Sequence, residues 1–222
     1  TVGLTGVAIA GDTDGATMGE NAIVHLLDSN AGAANSTVML LGGGAGAVGQ
    51  IKSGIGFTRE SASNWGTQLR FYTHSTATSD LDELKERMRI SSQGYVTTPQ
   101  NPMFKGSYNG SAHSAGAIGQ NANIQNRNMS HSGGNRITVP VAGVYLLVHH
   151  QLGDAVGTQT KIRINGSDLA GSRTQSISGN NESITTAMPV ILAALDYIEF
   201  HVSAGTIHGN SNYNTMSVTF IG

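Results

Sequence analysis

Short apolar runs separated by turn residues recur along the whole chain, and one of them predicts the central strand of the C-terminal half. Residues 135–152 read NRITVPVAGVYLLVHHQL, where a polar start and a turn at Pro140 and Gly143 precede the run VYLLV. A short run that is rich in β-branched and aromatic residues and bounded by turn residues is typical of a core strand. We therefore expect the second half of the chain to be organised around this strand.

The same pattern predicts further strands on both sides of the central one. We expect them at residues 104–108, 118–124, 159–164, 169–175, 183–192, 196–202 and 215–221, with a polar loop over 125–134. Asn165-Gly166 lies between two alternating runs, which is the strongest short signal for a tight hairpin. About eight strands at regular spacing favour an antiparallel sandwich or jelly roll.

The N-terminal half has less apolar material in each predicted strand. Strands are predicted at residues 22–27, 37–41, 50–58 and 68–73. Residues 80–90 predict a short helix, because Asp80 has capping-box spacing to Glu83 and apolar residues share one helical face, although residues 87–90 also match the start of a strand. Because so little apolar surface cannot close a good monomeric core, we expect this half to complete its core with neighbouring segments or other chains.

A break in the pattern divides the chain near residue 100. Gly94, Pro99 and Pro102 interrupt the strand pattern there. We therefore expect an all-β protein with a stalk-like β region over residues 1–100 and a jelly-roll head over residues 101–222.

Composition narrows the function classes. The chain has 222 residues with 30 glycines, 12 % charged residues and 5 % aromatic residues, which is typical of short strands and turns. A net charge of −2 gives no electrostatic case for nucleic acid. The absence of cysteine excludes disulfides and thiolate metal sites. No apolar run approaches the roughly 18 to 20 residues of a membrane span, so we expect no membrane insertion.

Two stretches of the chain resemble known families. Residues 137–140 (ITVP) and 142–146 (AGVYL) resemble a strand motif of the complement-globular-head and tumour-necrosis-factor-like jelly rolls. The hairpin at 165–166, the strand 195–200 and the closing residues 218–222 fall in that family's order. The chain differs from the animal members at Leu146 and Val148, where aromatic residues are usual.

The second resemblance is to bacteriophage tail fibres and related virion appendages. It rests on residues 54–57 (GIGF), 69–71 (LRF) and 86–96 (ERMRISSQGYV). Both resemblances imply homotrimers. Together they imply a stalk-proximal β region that carries a trimeric jelly-roll head on a phage particle, assembled in the host cytoplasm with other virion proteins as partners.

The residues capable of chemistry give no catalytic or metal-binding constellation. His149 and His150 are adjacent on a strand and point to opposite faces, so a satisfied strand-end histidine explains them better than a metal on a trimer axis. Turn chemistry explains Asp12 and Asp14 better than a calcium loop does. Because paired carboxylates at glycosidase spacing, a nucleophile elbow and a phosphate-loop lysine are all absent, we expect no enzyme, no cofactor and no metal.

Three loops instead suggest surface binding. Residues 125–134, 178–183 and 205–214 are rich in Asn, Ser and His, whose amides, hydroxyls and rings suit sugar hydroxyls. The candidate receptor contacts are Arg127, Asn128, His131, Asn180, Asn181, His208, Asn212 and Tyr213. The first hypothesis is therefore a trimeric phage fibre or spike whose head binds a host surface glycan. The alternative is a trimeric capsid decoration or head-fibre protein that stabilises the phage capsid.

Overall fold

The described part of the chain consists of antiparallel β-strands. The computed structural model describes residues 37–42, 53–61, 66–74, 84–177 and 181–222. The chain divides into two compact units, Thr1–Pro99 and Gln100–Gly222. In these ranges no helix is long and apolar enough to cross a membrane.

Among its described residues, the first unit contains one five-stranded antiparallel sheet in the order β1-β2-β3-β4-β5. Its strands are β1 (Thr37–Gly42), β2 (Ser53–Arg59), β3 (Thr67–His74), β4 (Leu84–Ile90) and β5 (Val96–Thr97). The predicted helix is wrong over residues 84–90, because these residues pair with β3 from Leu69↔Ile90 to His74↔Leu84. Pairing across the sheet has overridden a local pattern that suits a helix. Residues 80–83 and the strand predicted at 22–27 lie outside the described residues.

Burial in β2 is the reverse of what its sequence suggests. Gly54, Gly56 and Thr58 are buried, whereas Ile55 and Phe57 are exposed. The small residues therefore face the packed side of the sheet, and the apolar ones do not.

The second unit is a sandwich of two antiparallel sheets with jelly-roll strand order. Its strands are β6 (Met103–Ser107), β7 (Gly116–Ala117), β8 (Ala122–Arg127), β9 (Ser130–Ser132), β10 (Arg136–Thr138), β11 (Gly143–Gly153), β12 (Gln159–Ile164), β13 (Ser167–Asp168), β14 (Thr174–Gln175), β15 (Glu182–Leu192), β16 (Tyr197–Ala204) and β17 (Thr215–Phe220). One sheet, called the front sheet below, has the order β15-β11-β17-β6-β8. The other, called the back sheet, has the order β13-β12-β16-β10-β9, with β14 beside β12 and β7 beside β16. Strands that are distant in sequence lie side by side in both sheets, as in a jelly roll, and the predicted fold class is confirmed.

The predicted central strand is confirmed and is longer than the apolar run suggested. In β11, residues alternate between buried and half-buried from Tyr145 to Gly153. Tyr145 and Leu147 point between the sheets, where they meet Phe104 of β6, Phe200 of β16 and the rest of a core formed by both sheets. Burying this apolar surface is the main stabilising contribution to the head.

The hairpin at Asn165-Gly166 is confirmed, because both residues have positive φ, 51° and 79°. These values match the primed turn that two-residue hairpins require. The strand predicted over 169–175 shrinks to β14, since the hydroxyl of Ser172 accepts the Ile162 N–H at 3.0 Å in place of a continued ladder.

The polar region around residue 125 is mostly strand. The strand predicted over 118–124 is replaced by β7 and β8, and the loop predicted over 125–134 contains the end of β8 and all of β9. Both β8 and β9 lie at the edges of their sheets. Edge strands tolerate polar side chains because one side of the strand meets water.

Candidate functional site

The register of the front sheet divides the loops of the head between two ends. Ser107 and His150 both pair with Thr215, so the end of β6, the end of β11 and the start of β17 lie together. We call this the far end, because Gln100 and Asn101, where the second unit begins, lie at the opposite end beside Arg127.

A polar cleft of about 400 Å³ opens at the far end. It is lined by residues of three loops, namely Asn109, Gly110, Ala112, Asp154, His208, Gly209 and Asn210. Asn and Asp side chains supply hydrogen-bond donors and acceptors, and the three glycine and alanine residues leave the backbone accessible.

The loop over residues 205–214 is held from within by one buried amide. Asn214 is fully buried, and its side-chain NH₂ donates to the carbonyls of His208 and Asn210, the latter at 3.0 Å. Its Oδ1 accepts the N–H of Leu152 from β11 at 3.3 Å. Asn214 therefore fixes the loop to the central strand.

A close backbone approach joins this loop to the one after β6. The N–H of Gly110 donates to the carbonyl of Gly209 at 2.8 Å. A Cβ atom on Gly209 would lie 2.1 Å from the carbonyl oxygen of Gly110, which no side chain can accommodate. The cleft therefore requires glycine at position 209.

His208 and Tyr213 form the aromatic part of the cleft and its border. The Nδ1 atom of His208 accepts the backbone N–H of Asn210 at 3.1 Å, so a neutral imidazole carries its proton on Nε2. The two rings meet edge to face, with centroids 5.3 Å apart and planes at 88°. Tyr213 is 46 % exposed. The half-exposed Tyr213 ring lies beside His208, which lines the cleft together with Asp154, Asn109 and Asn210. An imidazole, a carboxylate and amides in one cleft are suited to a small polar ligand such as a sugar.

The structure brings part of the predicted site together. His208, Asn212 and Tyr213 share the far-end loop, and Asn181 reaches the same end by donating its N–H to the carbonyl of Gly153 at 2.8 Å. Asn180 lies outside the described residues. The assignment of these residues to receptor contact stays a prediction.

The other predicted contacts lie elsewhere in the head. Arg127 donates to the carbonyl of Asn101 at 2.8 Å, and Asn128 donates to the carbonyl of Gln100 at 2.8 Å. Both side chains therefore hold the first residues of the second unit by hydrogen bonds. His131 was expected in an exposed loop but lies half-buried in β9, with its ring centroid 4.9 Å from that of Phe104. These three residues are therefore not part of the far-end cleft.

Sequence reasoning missed Asn109, Asp154 and the Gly110–Gly209 contact. Asp154 follows directly after β11, and its N–H donates to the carbonyl of Thr206 at 2.8 Å. A turn residue just after the longest apolar strand was an available signal, but its meeting with residue 208 depends on the fold.

His149 corrects the prediction of a strand-end histidine. As expected, His149 and His150 point to opposite faces, but His149 lies within β11, 1 % exposed, with its ring centroid 5.0 Å from that of Phe200. Its buried Nε2 atom has no hydrogen-bond partner among the described residues. Burial, followed by the proximity of His150 and His201, lowers the pKa of His149 to about 3. In the described ranges no three His, Asp or Glu side chains converge as a metal site, and Asp12 and Asp14 lie outside those ranges.

The outer face of the front sheet is a second candidate surface. On this face, side chains that pair across neighbouring strands form rows, which by the strand register are Ile191–Val144, Pro189–Leu146–Thr219–Met103 and Ala187–Val148–Ser217–Lys105. Apolar and small residues dominate these rows, Leu146 and Val148 are half-buried, and Ile191 is 82 % exposed. Charged residues appear in these rows only on β6 and β8, where Lys105 lies and where Arg127 pairs with Met103.

The outer side of the back sheet is charged in contrast. Asp168 contacts Lys161 at 2.7 Å and Arg163 at 3.3 Å, and the side chain of Glu199 accepts from Arg136 at 3.0 Å. The Lys161 ammonium holds the pKa of Asp168 below its usual range. The head therefore presents a front face that is uncharged in the listed rows of β15, β11 and β17, and a charged back.

No protein-family model and no curated protein matches the chain. Solved structures of tumour necrosis factor ligands are similar to it. Eiger, a tumour necrosis factor from S. frugiperda, is 15 % identical with a TM-score of 0.43, over 55 % of this chain and 94 % of that chain. Bushbaby GITRL is 11 % identical with a TM-score of 0.40, over 55 % and 94 %. Murine APRIL is 14 % identical with a TM-score of 0.41, over 55 % and 99 %.

Proposed function

We propose that this chain is a homotrimeric appendage protein of a bacteriophage particle, and that its head binds a glycan on the host surface through the far-end cleft. One observation carries the proposal: the polar cleft lies at the end of the head opposite Gln100, where the unit begins. A head attached through its beginning presents this end outward. Binding, and not catalysis, is the activity that such a cleft supports.

The outer face of the front sheet supports association into a homotrimer. Val144, Leu146 and Val148 lie side by side on it without a charged neighbour in β15 or β17. Burial of the β15, β11 and β17 part of this face between copies would remove apolar surface from water without burying an unpaired charge. Three copies around one axis would then point three clefts in the same direction, and weak sites would gain avidity through their effective concentration.

The sequence resemblance to virion appendages supports placement on a phage particle. Its three segments, 54–57, 69–71 and 86–96, fall on β2, β3 and β4 to β5, which are neighbours in one sheet. The resemblance thus covers a continuous structural element and not scattered loops.

Binding of the full chain to host cells and to their purified polysaccharide tests this proposal. We expect the Tyr213→Ala variant to bind the polysaccharide about tenfold more weakly per site, which corresponds to about 1.4 kcal/mol of lost ring contact. Tyr95→Ala is the matched control, because Tyr95 is also exposed but belongs to the first unit.

Two results would contradict the proposal. Equal binding by both tyrosine variants would exclude the far-end cleft as the site. Binding to empty capsids and not to host cells, with a rise in capsid thermal stability, would favour the capsid decoration protein instead.

A further inference from the structure

The sheet of the first unit has one face whose two central rows contain only apolar side chains. Residues paired across neighbouring strands lie on the same face of a sheet. The rows are Val38–Phe57–Leu69–Ile90–Val96 and Leu40–Ile55–Phe71–Met88.

The opposite face of this sheet is already packed by its own side chains. The Tyr72 ring covers Gly56, so a Cβ there would lie 2.9 Å from the ring, and Leu41 covers Gly54 in the same way. Glu86 accepts from Arg89 at 2.7 Å on this face. One side of the sheet is therefore closed by local contacts, and these contacts do not involve the apolar rows.

The two apolar rows are exposed at four positions and half-buried at the other five. Leu40 is 50 % exposed, Ile55 37 % and Phe57 41 %. Five strands about 4.8 Å apart and two rows about 7 Å apart give a patch on the order of 400 Å². A patch of this size is comparable to the largest that a typical monomer exposes, which is about 300 to 600 Å² and often functional.

Charge is placed around this patch and not within it. Neither row contains a charged residue, whereas Arg59 and Lys85 lie in the rows that flank them on the same face. Arg87, the extra residue of a bulge beside Met88, donates to the Thr73 hydroxyl at 2.8 Å in one of these flanking rows. An apolar centre with a polar rim is the usual anatomy of a protein interface.

We propose that this apolar face packs against the same face of other copies of this chain. A copy offers an equally uncharged apolar centre, whereas a partner with charged residues would bury them without counter-charges. The patch provides about half of the roughly 800 Å² that each partner buries in a standard interface. The faces therefore meet stably only when the copies are also held together through their heads, and the inference rests on the homotrimer proposed above.

Two neighbouring leucines on β1 provide a matched test. Leu40 and Leu41 are 50 % and 46 % exposed, but Leu40 belongs to the apolar row and Leu41 to the opposite face. Because the chain contains no cysteine, Leu40→Cys and Leu41→Cys each introduce a unique thiol into the full-length protein. We expect the Leu40→Cys thiol to react with a free maleimide roughly tenfold more slowly and to be cross-linked between copies by a short bismaleimide. Ile55→Cys repeats the test on the neighbouring strand and should behave as Leu40→Cys does. Leu41→Cys is the control and should react rapidly without cross-linking.

The outcomes separate this inference from the proposed function. Light scattering on the unsubstituted chain comes first, since a monomeric mass would overturn both proposals. An oligomer in which Leu40→Cys and Leu41→Cys react and cross-link alike would overturn only the packing of the sheet faces. A Leu40→Cys thiol that is protected but never cross-linked would mean that another segment or a different partner covers the face, and would also overturn it.

Discussion

The buried imidazole of His149 makes the stability of the head dependent on pH. In the folded head the pKa of His149 is lowered to about 3, whereas an unfolded chain has the ordinary value near 6.5. The folded protein therefore holds this ring neutral, and the unfolded chain binds the proton more readily. Stability contributed by the neutral ring is complete above pH of about 6.5 and is lost as the pH falls from there towards 3.

The size of the effect follows from the difference between the two pKa values. The loss of unfolding free energy amounts to at most about 5 kcal/mol when the pH is below both pKa values, and to about 2 kcal/mol near pH 5. The pKa of His201 is also lowered, first by burial and then by Arg163, and it contributes in the same direction. Asp168, whose pKa is lowered by Lys161, keeps its charge at pH 5 and does not contribute in this range.

Urea unfolding near pH 7.5 and pH 5 measures this loss at one fixed chain concentration. We expect the unsubstituted protein to lose about 2 kcal/mol or more of unfolding free energy between these conditions, and His149→Leu to lose about 2 kcal/mol less than that. His150→Gln is the control, because His150 lies on the opposite face of β11 and its Nδ1 contacts the Thr185 hydroxyl at 2.8 Å. An acid sensitivity of His149→Leu equal to that of the unsubstituted protein would refute the reasoning.

Two further predictions concern the cleft and the core. Gly209→Ala should weaken polysaccharide binding and destabilise the head by about 1 to 3 kcal/mol, because its Cβ would collide with the carbonyl of Gly110. Gly119→Ala is the control: the nearest atom to its Cβ would be 3.7 Å away, so this variant should leave binding unchanged. Leu147→Ala should lower the unfolding free energy by about 2 to 5 kcal/mol, since this side chain is fully buried between the sheets. Calorimetry and polysaccharide binding check both, and a Gly209→Ala variant with undiminished binding would show that the loop contact is dispensable.

Local signals predicted the regular parts of the head well. The strand at 159–164 has the predicted bounds, and Asn165-Gly166 forms the predicted turn, because alternation and turn chemistry are properties of adjacent residues. The prediction of a loop over residues 125–134 is wrong for the end of β8 and for β9, since an edge strand is stabilised by its partner and not by its own apolar residues.

The failures elsewhere have a common physical origin. Residues 84–90 form a strand because β3 supplies their hydrogen-bond partners, which the sequence of the segment does not reveal. Arg127 was grouped with Tyr213 because both lie in polar stretches, but only the strand register assigns them to opposite ends of the sandwich. The composition of one loop, residues 205–214, therefore indicated a binding surface. The sequence did not reveal that this loop meets two others to form the cleft.

Few side chains take part in the hydrogen bonds that hold the far-end loop, and this affects how the surface of the loop can change during evolution. Asn214 supplies the buried amide, while Asn212 and Tyr213 contribute their backbone N–H groups to the turn. Substitutions at positions 212 and 213 thus leave the loop's anchor to β11 in place while changing the chemistry displayed at its surface. A lineage under pressure to recognise a new surface could exchange these side chains one at a time without first finding a new way to fold.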